Sequence, residues 1–253
     1  MILSVNYFFS GDTHADFSRF RDNPIAQDKN NYIVIAGDCG ANFFGGKRDA
    51  RVWQEVSKFP CRFYTYCGNH DMRPQNTYNM ERVYDEAVKG WVWWNPYFPN
   101  LRYFEDYGIY MLGKYKCAII GHAYSVDKYY RLMRNWTWHP DEQLTTQERY
   151  ECQKLMEGQH FDFVMTHTAP YNSRPIDKFL ACVDQSTVDE TMEHWLEALR
   201  ADIDYDVWLL GHYHIDRIQE PRMRIFYQDI DSLDNIYVQM LRWQSPKFEN
   251  SEK

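Results

Sequence analysis

The sequence predicts a layered α/β sandwich. Three observations carry that expectation. Short apolar runs recur along the 253 residues, and each of five ends in a small residue followed by a polar, metal-competent side chain. Segments with helical periodicity lie between these runs. One apolar pair flanks a tight glycine-containing turn and reads as a hairpin. Alternation of strand and helix over a chain this long points to stacked layers, and 44% apolar residues are enough to fill a core.

The first strand is expected over residues 2–9, delivering Gly11-Asp12-Thr13-His14. The next, Tyr32 to Ala36, is almost wholly apolar, the pattern of a strand buried on both faces, and ends in Gly37-Asp38. A short helix is predicted from Asp49 to Lys58. Arg62 to Cys67 reads as a strand ending in Gly68-Asn69-His70-Asp71. Tyr107 to Leu112 and Cys117 to Ile120 flank Gly113-Lys114-Tyr115-Lys116 as the hairpin. Leu144 to Glu157 is predicted helical, with a capping box at Thr145-Thr146-Gln147-Glu148. Phe161 to Met165 precedes Thr166-His167. Thr187 to Arg200 is predicted helical behind a second box, Thr187-Val188-Asp189-Glu190, with Met192, Trp195, Leu196 and Leu199 on one face. Asp206 to Leu210 precedes Gly211-His212-Tyr213-His214. Ile225 to Tyr227 and Ile236 to Leu241 are read as closing strands, and the polar residues from about Ser245 as a loose end. No internal repeat or linker is evident, so 1–253 is read as a single domain.

Composition narrows the function classes. A net charge of -8 disfavours non-specific nucleic-acid binding, which needs clustered Lys and Arg, and no basic stripe is present. It leaves room for a phosphate substrate if metal ions supply positive charge. Cysteines 39, 61, 67, 117, 152 and 182 form no C-x-x-C pair and read as reduced thiols of a cytoplasmic protein. The N-terminus has no basic n-region, and no apolar run is long enough to span a membrane. Oligomeric state is not legible.

The chemistry lies in the five strand-end motifs. Asp12, His14, Asp38, Asn69, His167, His212 and His214 offer oxygen and imidazole nitrogen with no thiolate, a set suited to Mn, Fe, Zn or Co. Asp12 and His14 are two apart, as are His212 and His214, so on extended chain each pair points one way. Asp38 can use both carboxylate oxygens, one per ion. Taken singly, each motif is a turn or a satisfied polar residue. Five in series after strands imply a metal centre on the loops at one edge of a sheet.

The series D-x-H, G-D, G-N-H-D, H and G-H-x-H, spanning residues 11 to 214, resembles the calcineurin-like metallophosphoesterase superfamily. The resemblance implies a four-layer αββα sandwich of two facing mixed sheets. It implies one metal held by Asp12, His14, Asp38 and His214, and another by Asp38, Asn69, His167 and His212. Manganese is the first expectation for both ions, with Fe, Zn, Co, Ni or Mg as alternatives. The implied activity is hydrolysis of a phosphodiester or phosphomonoester, in a small molecule or nucleotide, by in-line attack of a metal-bridging hydroxide. His70 is placed near the leaving group as general acid, with Asp71 read as a solvated carboxylate ahead of a group that orients His70. Gly121-His122-Ala123-Tyr124-Ser125-Val126-Asp127-Lys128, with Arg131 and Trp136-Thr137-Trp138-His139-Pro140, is similar to a segment of bacterial and phage members. There the second position is more often glycine, so His122 is a departure. The G-D-x-x-D-R-G string of the protein Ser/Thr phosphatases is absent, because Asp38 is followed by Cys39-Gly40-Ala41-Asn42.

Other features are weighed against this frame. Lys128 or Arg131 is a candidate phosphate ligand, balanced against a solvated helix start. Trp91, Trp93, Trp94, Trp136 and Trp138 are read as core before a base-stacking floor. Cys39 is read as a buried filler, and Gly45-Gly46-Lys47-Arg48 as a weak echo of a phosphate loop. His139, His160 and His194 are assigned nothing. The competing class is a non-catalytic metal-binding or protein-interaction scaffold of the same fold. Competent side chains at all seven ligand positions and at His70 speak against it. A redox role is disfavoured by the motif order.

Overall fold

A computed structural model describes residues 5–179, 181 and 184–243. Residues 2–4 of the first predicted strand, Cys182 and the tail from Ser245 lie outside the described residues. The order of elements is β1 (Asn6–Ser10), α1 (Ser18–Arg21), β2 (Asn31–Ile35), α2 (Ala50–Val56), β3 (Arg62–Thr65), β4 (Glu81–Asp85), β5 (Gly90–Trp94), β6 (Leu101–Phe104), β7 (Tyr107–Leu112) and β8 (Tyr115–Ile120). Then follow α3 (Lys128–Met133), α4 (Thr146–Met156), β9 (His160–Thr166), α5 (Thr191–Asp202), β10 (Asp204–Leu210), β11 (Arg217–Glu220), β12 (Met223–Ile225), β13 (Ile230–Ser232) and α6 (Leu233–Trp243).

The strands form two mixed sheets, ordered β13-β1-β2-β3-β6-β5-β4 and β11-β12-β10-β9-β8-β7. Parallel pairing joins β1, β2, β3 and β6 in the first and β8, β9, β10 and β12 in the second. Alternation along each strand divides the apolar residues between two faces. Phe9, Val34, Tyr64, Phe163, Met165, Val207 and Leu209 meet between the sheets. Ile33, Ile35 and Phe63 point outward under Phe17 and Phe20 at α1 and Trp53 and Val56 of α2. Val164, Trp208 and Leu210 point outward on the other sheet under α4 and α5. The result is the αββα sandwich that the resemblance implies.

The elements that carry the motifs fall where the sequence places them, and the capping box at Thr145 and Glu148 is formed. Three expectations are corrected. Ile236–Leu241 is not a strand but part of α6, because Leu233, Ile236 and Met240 recur at helical spacing and enter the inter-sheet core. The box at Thr187–Glu190 is not formed. Residues 185–187 make a 3₁₀ turn closed by Asp184, and α5 starts behind Asp189, whose carboxylate accepts from the Thr191 amide at 3.0 Å. Met192, Leu196 and Leu199 are nonetheless the buried face of α5, with Trp195 half-buried beside them. The tryptophan cluster is not core either: Trp91 and Trp136 are exposed, and Trp93, Trp94 and Trp138 only half-buried. Arg82 lies over Trp91, so a cation shares the face that a core would cover.

Candidate metal centre

All five motifs sit just beyond the carboxyl ends of β1, β2, β3, β9 and β10. The first three strands belong to one sheet and the last two to the other, so the cluster bridges two sheet edges where one was expected. The loops place the side chains through left-handed backbone: His14, Asp38, His212 and His214 have φ of 45, 46, 66 and 52°. Neither two-residue pair is therefore extended, and the expectation that each points one way by strand alternation is wrong. Convergence comes from the turn. Positive φ in four non-glycine residues at one place is uncommon and costs of order 1–3 kcal/mol each, which surrounding contacts must offset.

Two glycines show why the motifs begin as they do. A Cβ on Gly68 would lie 2.1 Å from Asp38 Oδ1, and one on Gly211 would lie 2.1 Å from Asp12 Oδ1. Each glycine makes room for the carboxylate of another motif. The freed space is used by hydrogen bonds: the His70 amide donates to Asp38 Oδ1 at 2.8 Å, and the His212 amide donates to Asp12 Oδ1 at 3.0 Å.

Asp38 is the hub. Its Oδ2 lies 3.4 Å from His167 Nε2, 3.9 Å from His14 Nε2 and 4.0 Å from His70 Nε2. Asp12 Oδ2 lies 3.4 Å from His214 Nε2 and 3.8 Å from His14 Nε2, and those two imidazole nitrogens are 2.8 Å apart. Asn69 Oδ1 is 3.0 Å from His167 Nε2. The His212 ring packs against that of His167, with centroids 4.9 Å apart. All seven predicted positions and His70 are thus brought together.

These spacings suit a metal. Donor atoms held at ~2.0–2.2 Å by one ion lie about 3–3.6 Å from each other. Outer contacts also aim the donors. The Ala36 carbonyl accepts from His167 Nδ1 at 2.6 Å, which turns Nε2 inward. The Asn69 amide nitrogen donates to Ser125 Oγ at 3.0 Å, which turns the amide oxygen toward His167. The Ser125 amide in turn donates to Glu142, whose other oxygen takes the Trp138 indole proton at 2.8 Å. The Gly121–Ser125 and Trp136–Pro140 segments therefore brace Asn69, a role the sequence reading did not find.

Electrostatics follow from burial beside opposite charge. Burial opposes ionisation of Asp38, but the imidazoles of His167 and His70 outweigh it and hold the carboxyl well below the usual range. Asp12 is lowered in the same way, chiefly by His167 against burial. Burial would lower His167, yet Asp38 and Asp12 raise it to about 9. His212, buried and next to His167, is lowered to about 3, so it stays a neutral donor. An excess of negative charge is held ready for cations.

Asp71 is not the solvated carboxylate expected. It is buried, accepts from the Gly68 amide at 3.0 Å, and is pushed up to about 7 by burial and by Asp38. Arg131 reaches the site: it is buried, anchored by Asp127 Oδ2 at 2.7 Å and the Thr137 carbonyl at 3.1 Å, and its Nη2 contacts the His70 ring. Lys128 instead lies over Trp138 at 4.5 Å. His122 has φ of 78°, which is why glycine suits that position, and pairs with Asp106 at 2.8 Å. Cys39 is a buried thiol, as read. The amides of Phe44, Gly45 and Gly46 are taken by Asp49, so the loop that echoes a phosphate site is filled by the chain's own carboxylate.

An αββα sandwich carrying oxygen and imidazole donors on both sheet edges defines a metal-dependent hydrolase class. The family model for calcineurin-like phosphoesterases matches residues 6–216, and the chain belongs to that family. It is a metal-dependent hydrolase of phosphate esters. No curated protein matches the chain. Among the described residues, no helix is long and apolar enough to cross a membrane.

Proposed function

We propose that the chain, acting as one domain, hydrolyses small phosphate esters at a two-ion centre. Asp12, His14, Asp38 and His214 hold one ion, and Asp38, Asn69, His167 and His212 hold the other, with manganese in both. When bound, the ions supply Lewis acidity toward the phosphoryl oxygens and an activated water. The observation that carries this reading is the placement of Asp38, whose Oδ2 faces three imidazoles within 4.0 Å while its Oδ1 is pinned by a backbone amide.

The chain's own residues do the rest. Arg131, rigid between Asp127 and Thr137, is the cation that grips the phosphoryl group, a role that fits a planar guanidinium better than Lys128. His70 protonates the leaving oxygen. In the free protein burial lowers its pKa, Asp38 opposes this and Arg131 adds to it, so the ring is neutral and accepts from Arg131. An incoming phosphate draws the guanidinium to itself and adds negative charge beside the ring, which favours the imidazolium needed for proton donation.

The test is cleavage of bis-p-nitrophenyl phosphate and p-nitrophenyl phosphate by protein stripped of metal and refilled with Mn, with Asp38→Asn as control. Metal-dependent cleavage lost in the control is expected, and the ratio of the two rates separates diesterase from monoesterase. Two bound metals without cleavage of either ester would overturn the reading for these esters. Failure to bind metal would favour the scaffold.

A further inference from the structure

A cavity of about 530 Å³ opens at the cluster and is also lined by Arg174, Phe179, Val188 and Glu190. Its size falls in the ~300–1,000 Å³ range of small-molecule sites. Its lining combines His14, Asp38 and His214 with an apolar wall of Tyr124, Val126, Phe179, Val188 and Tyr213. A phosphate needs none of that apolar wall, which is therefore shaped for the organic part of an ester.

Two details define that part. The rings of Phe179 and Tyr213 are near-parallel, 10° apart in plane with centroids 6.3 Å apart, and give the wall a flat aromatic character. Glu193 of α5 lines the same cavity and is only 7% exposed. Its Oε1 accepts from Thr168 Oγ1 at 2.8 Å, while the buried Oε2 has no hydrogen-bond partner among the described residues. Arg174, which lines the same cavity, makes its ion pair with Glu190 and lies on the Tyr171 ring. A buried carboxyl oxygen without a partner is rare in folded proteins and marks a place where a ligand donor fits. Burial pushes the Glu193 carboxyl up to about 7, as an apolar pocket demands.

We propose that this cavity selects the substrate, taking the flat heteroaromatic ring of a small nucleotide, with the hydrogen-bonding edge of the base meeting Glu193 Oε2. The proposal rests on the phosphoesterase reading only for the fate of the phosphate; the ring is bound by residues outside the ligand set. Aliphatic and sugar phosphates lack the flat face.

The experiment separates the two readings by using a ligand without phosphate. Adenosine binding to metal-stripped protein is measured by calorimetry for the wild type, Glu193→Leu and Glu193→Gln. Adenosine should bind and ribose should not. Glu193→Leu should weaken adenosine on the order of 10- to 100-fold, the scale of one buried hydrogen bond to an acidic group. Glu193→Gln, which keeps an uncharged hydrogen-bonding group at the Oε2 position, should restore most of the affinity. On Mn-loaded protein, the ratio of kcat/KM for AMP to that for p-nitrophenyl phosphate should fall with Glu193→Leu. If that variant does not fold, Val188→Trp fills the cavity and should abolish adenosine binding. No adenosine binding by a wild type that cleaves bis-p-nitrophenyl phosphate would overturn the pocket and leave the hydrolase standing. Equal affinity in wild type and Glu193→Leu would overturn the role of Glu193. Glu193-dependent binding without cleavage of any ester would uphold the pocket and sink the proposed mechanism.

Discussion

Replacing Glu193 with Gln should remove a pH dependence of folding stability that the wild type shows between pH 4.5 and about 7. Glu193 is buried, and its pKa rises from 4.5 to about 7 because the pocket disfavours the charged form. The folded state therefore holds a proton that the unfolded state has released. In that window the native state binds more protons than the unfolded state, so stability falls as pH rises. Below pH 4.5 both states are protonated, and the neutral carboxyl is fully tolerated. Above 7 both are ionised, and the native state carries a buried charge. A shift from 4.5 to about 7 at 1.36 kcal/mol per pH unit gives about 3 kcal/mol. That is a large share of a typical stability of ~5–15 kcal/mol. The assay is urea unfolding of both proteins in chelator at pH 5 and pH 8, so that bound metal does not enter. Groups that titrate elsewhere are common to both proteins and cancel in the difference. The variant should gain about 3 kcal/mol over the wild type between the two pH values. A difference that does not change with pH would refute the claim that Glu193 is held protonated by burial.

Three further outcomes follow from the cluster. Ser125→Ala frees the Asn69 amide to rotate, and metal affinity should fall about 10- to 100-fold, read by competition with a chelator. His70→Ala should lower kcat for an alkoxide leaving group by ~10²–10⁴-fold while metal content by mass analysis stays the same; unchanged turnover would remove His70 as the acid. Arg131→Met should raise KM for phosphate esters and weaken inhibition by inorganic phosphate, while an equal phosphate affinity in wild type and variant would show that the guanidinium only packs against Phe43.

The site was legible because each ligand follows a short apolar run, and such runs become parallel strands whose carboxyl ends point one way. Tyr32 to Ala36 and Asp206 to Leu210 are too apolar to be anything but buried strands at that length. The hairpin across Gly113 and the box at Thr145 rest on local chemistry and formed as read. Less was legible between residues 72 and 104. Strands β4, β5 and β6 leave Tyr84 and Trp91 exposed, so their alternation carries no clean apolar face. The run Ile236–Leu241 is short and apolar, and period alone does not separate strand from helix at that length. Glu193 carried no sign at all. A glutamate in the first turn of a helix is ordinarily solvated, and its burial arises only because Tyr213 and the segment before α5 close over it.

The glycines show how far the motifs depend on each other. In sequence, Gly68 and Gly211 look like turn residues that serve the ligands next to them. In space, each serves a ligand from elsewhere in the chain: Gly68 leaves room for Asp38, and Gly211 for Asp12. The carboxylate so admitted accepts a backbone amide from the same loop, from His70 in one case and His212 in the other. Position and charge are thereby fixed together. An aspartate that accepts an amide from the opposite loop cannot turn away, and His212, which donates to Asp12, is itself held in left-handed backbone. The strain at Asp38 and His212 is offset by these contacts across motifs, together with the Tyr213 amide donating to the Gly211 carbonyl within one. Asp38 lies where the His14 side and the His167 side meet: its Oδ2 faces both imidazoles, and its Oδ1 takes the His70 amide. A cluster built this way needs all of its loops, because no pair of motifs alone keeps both its geometry and its backbone.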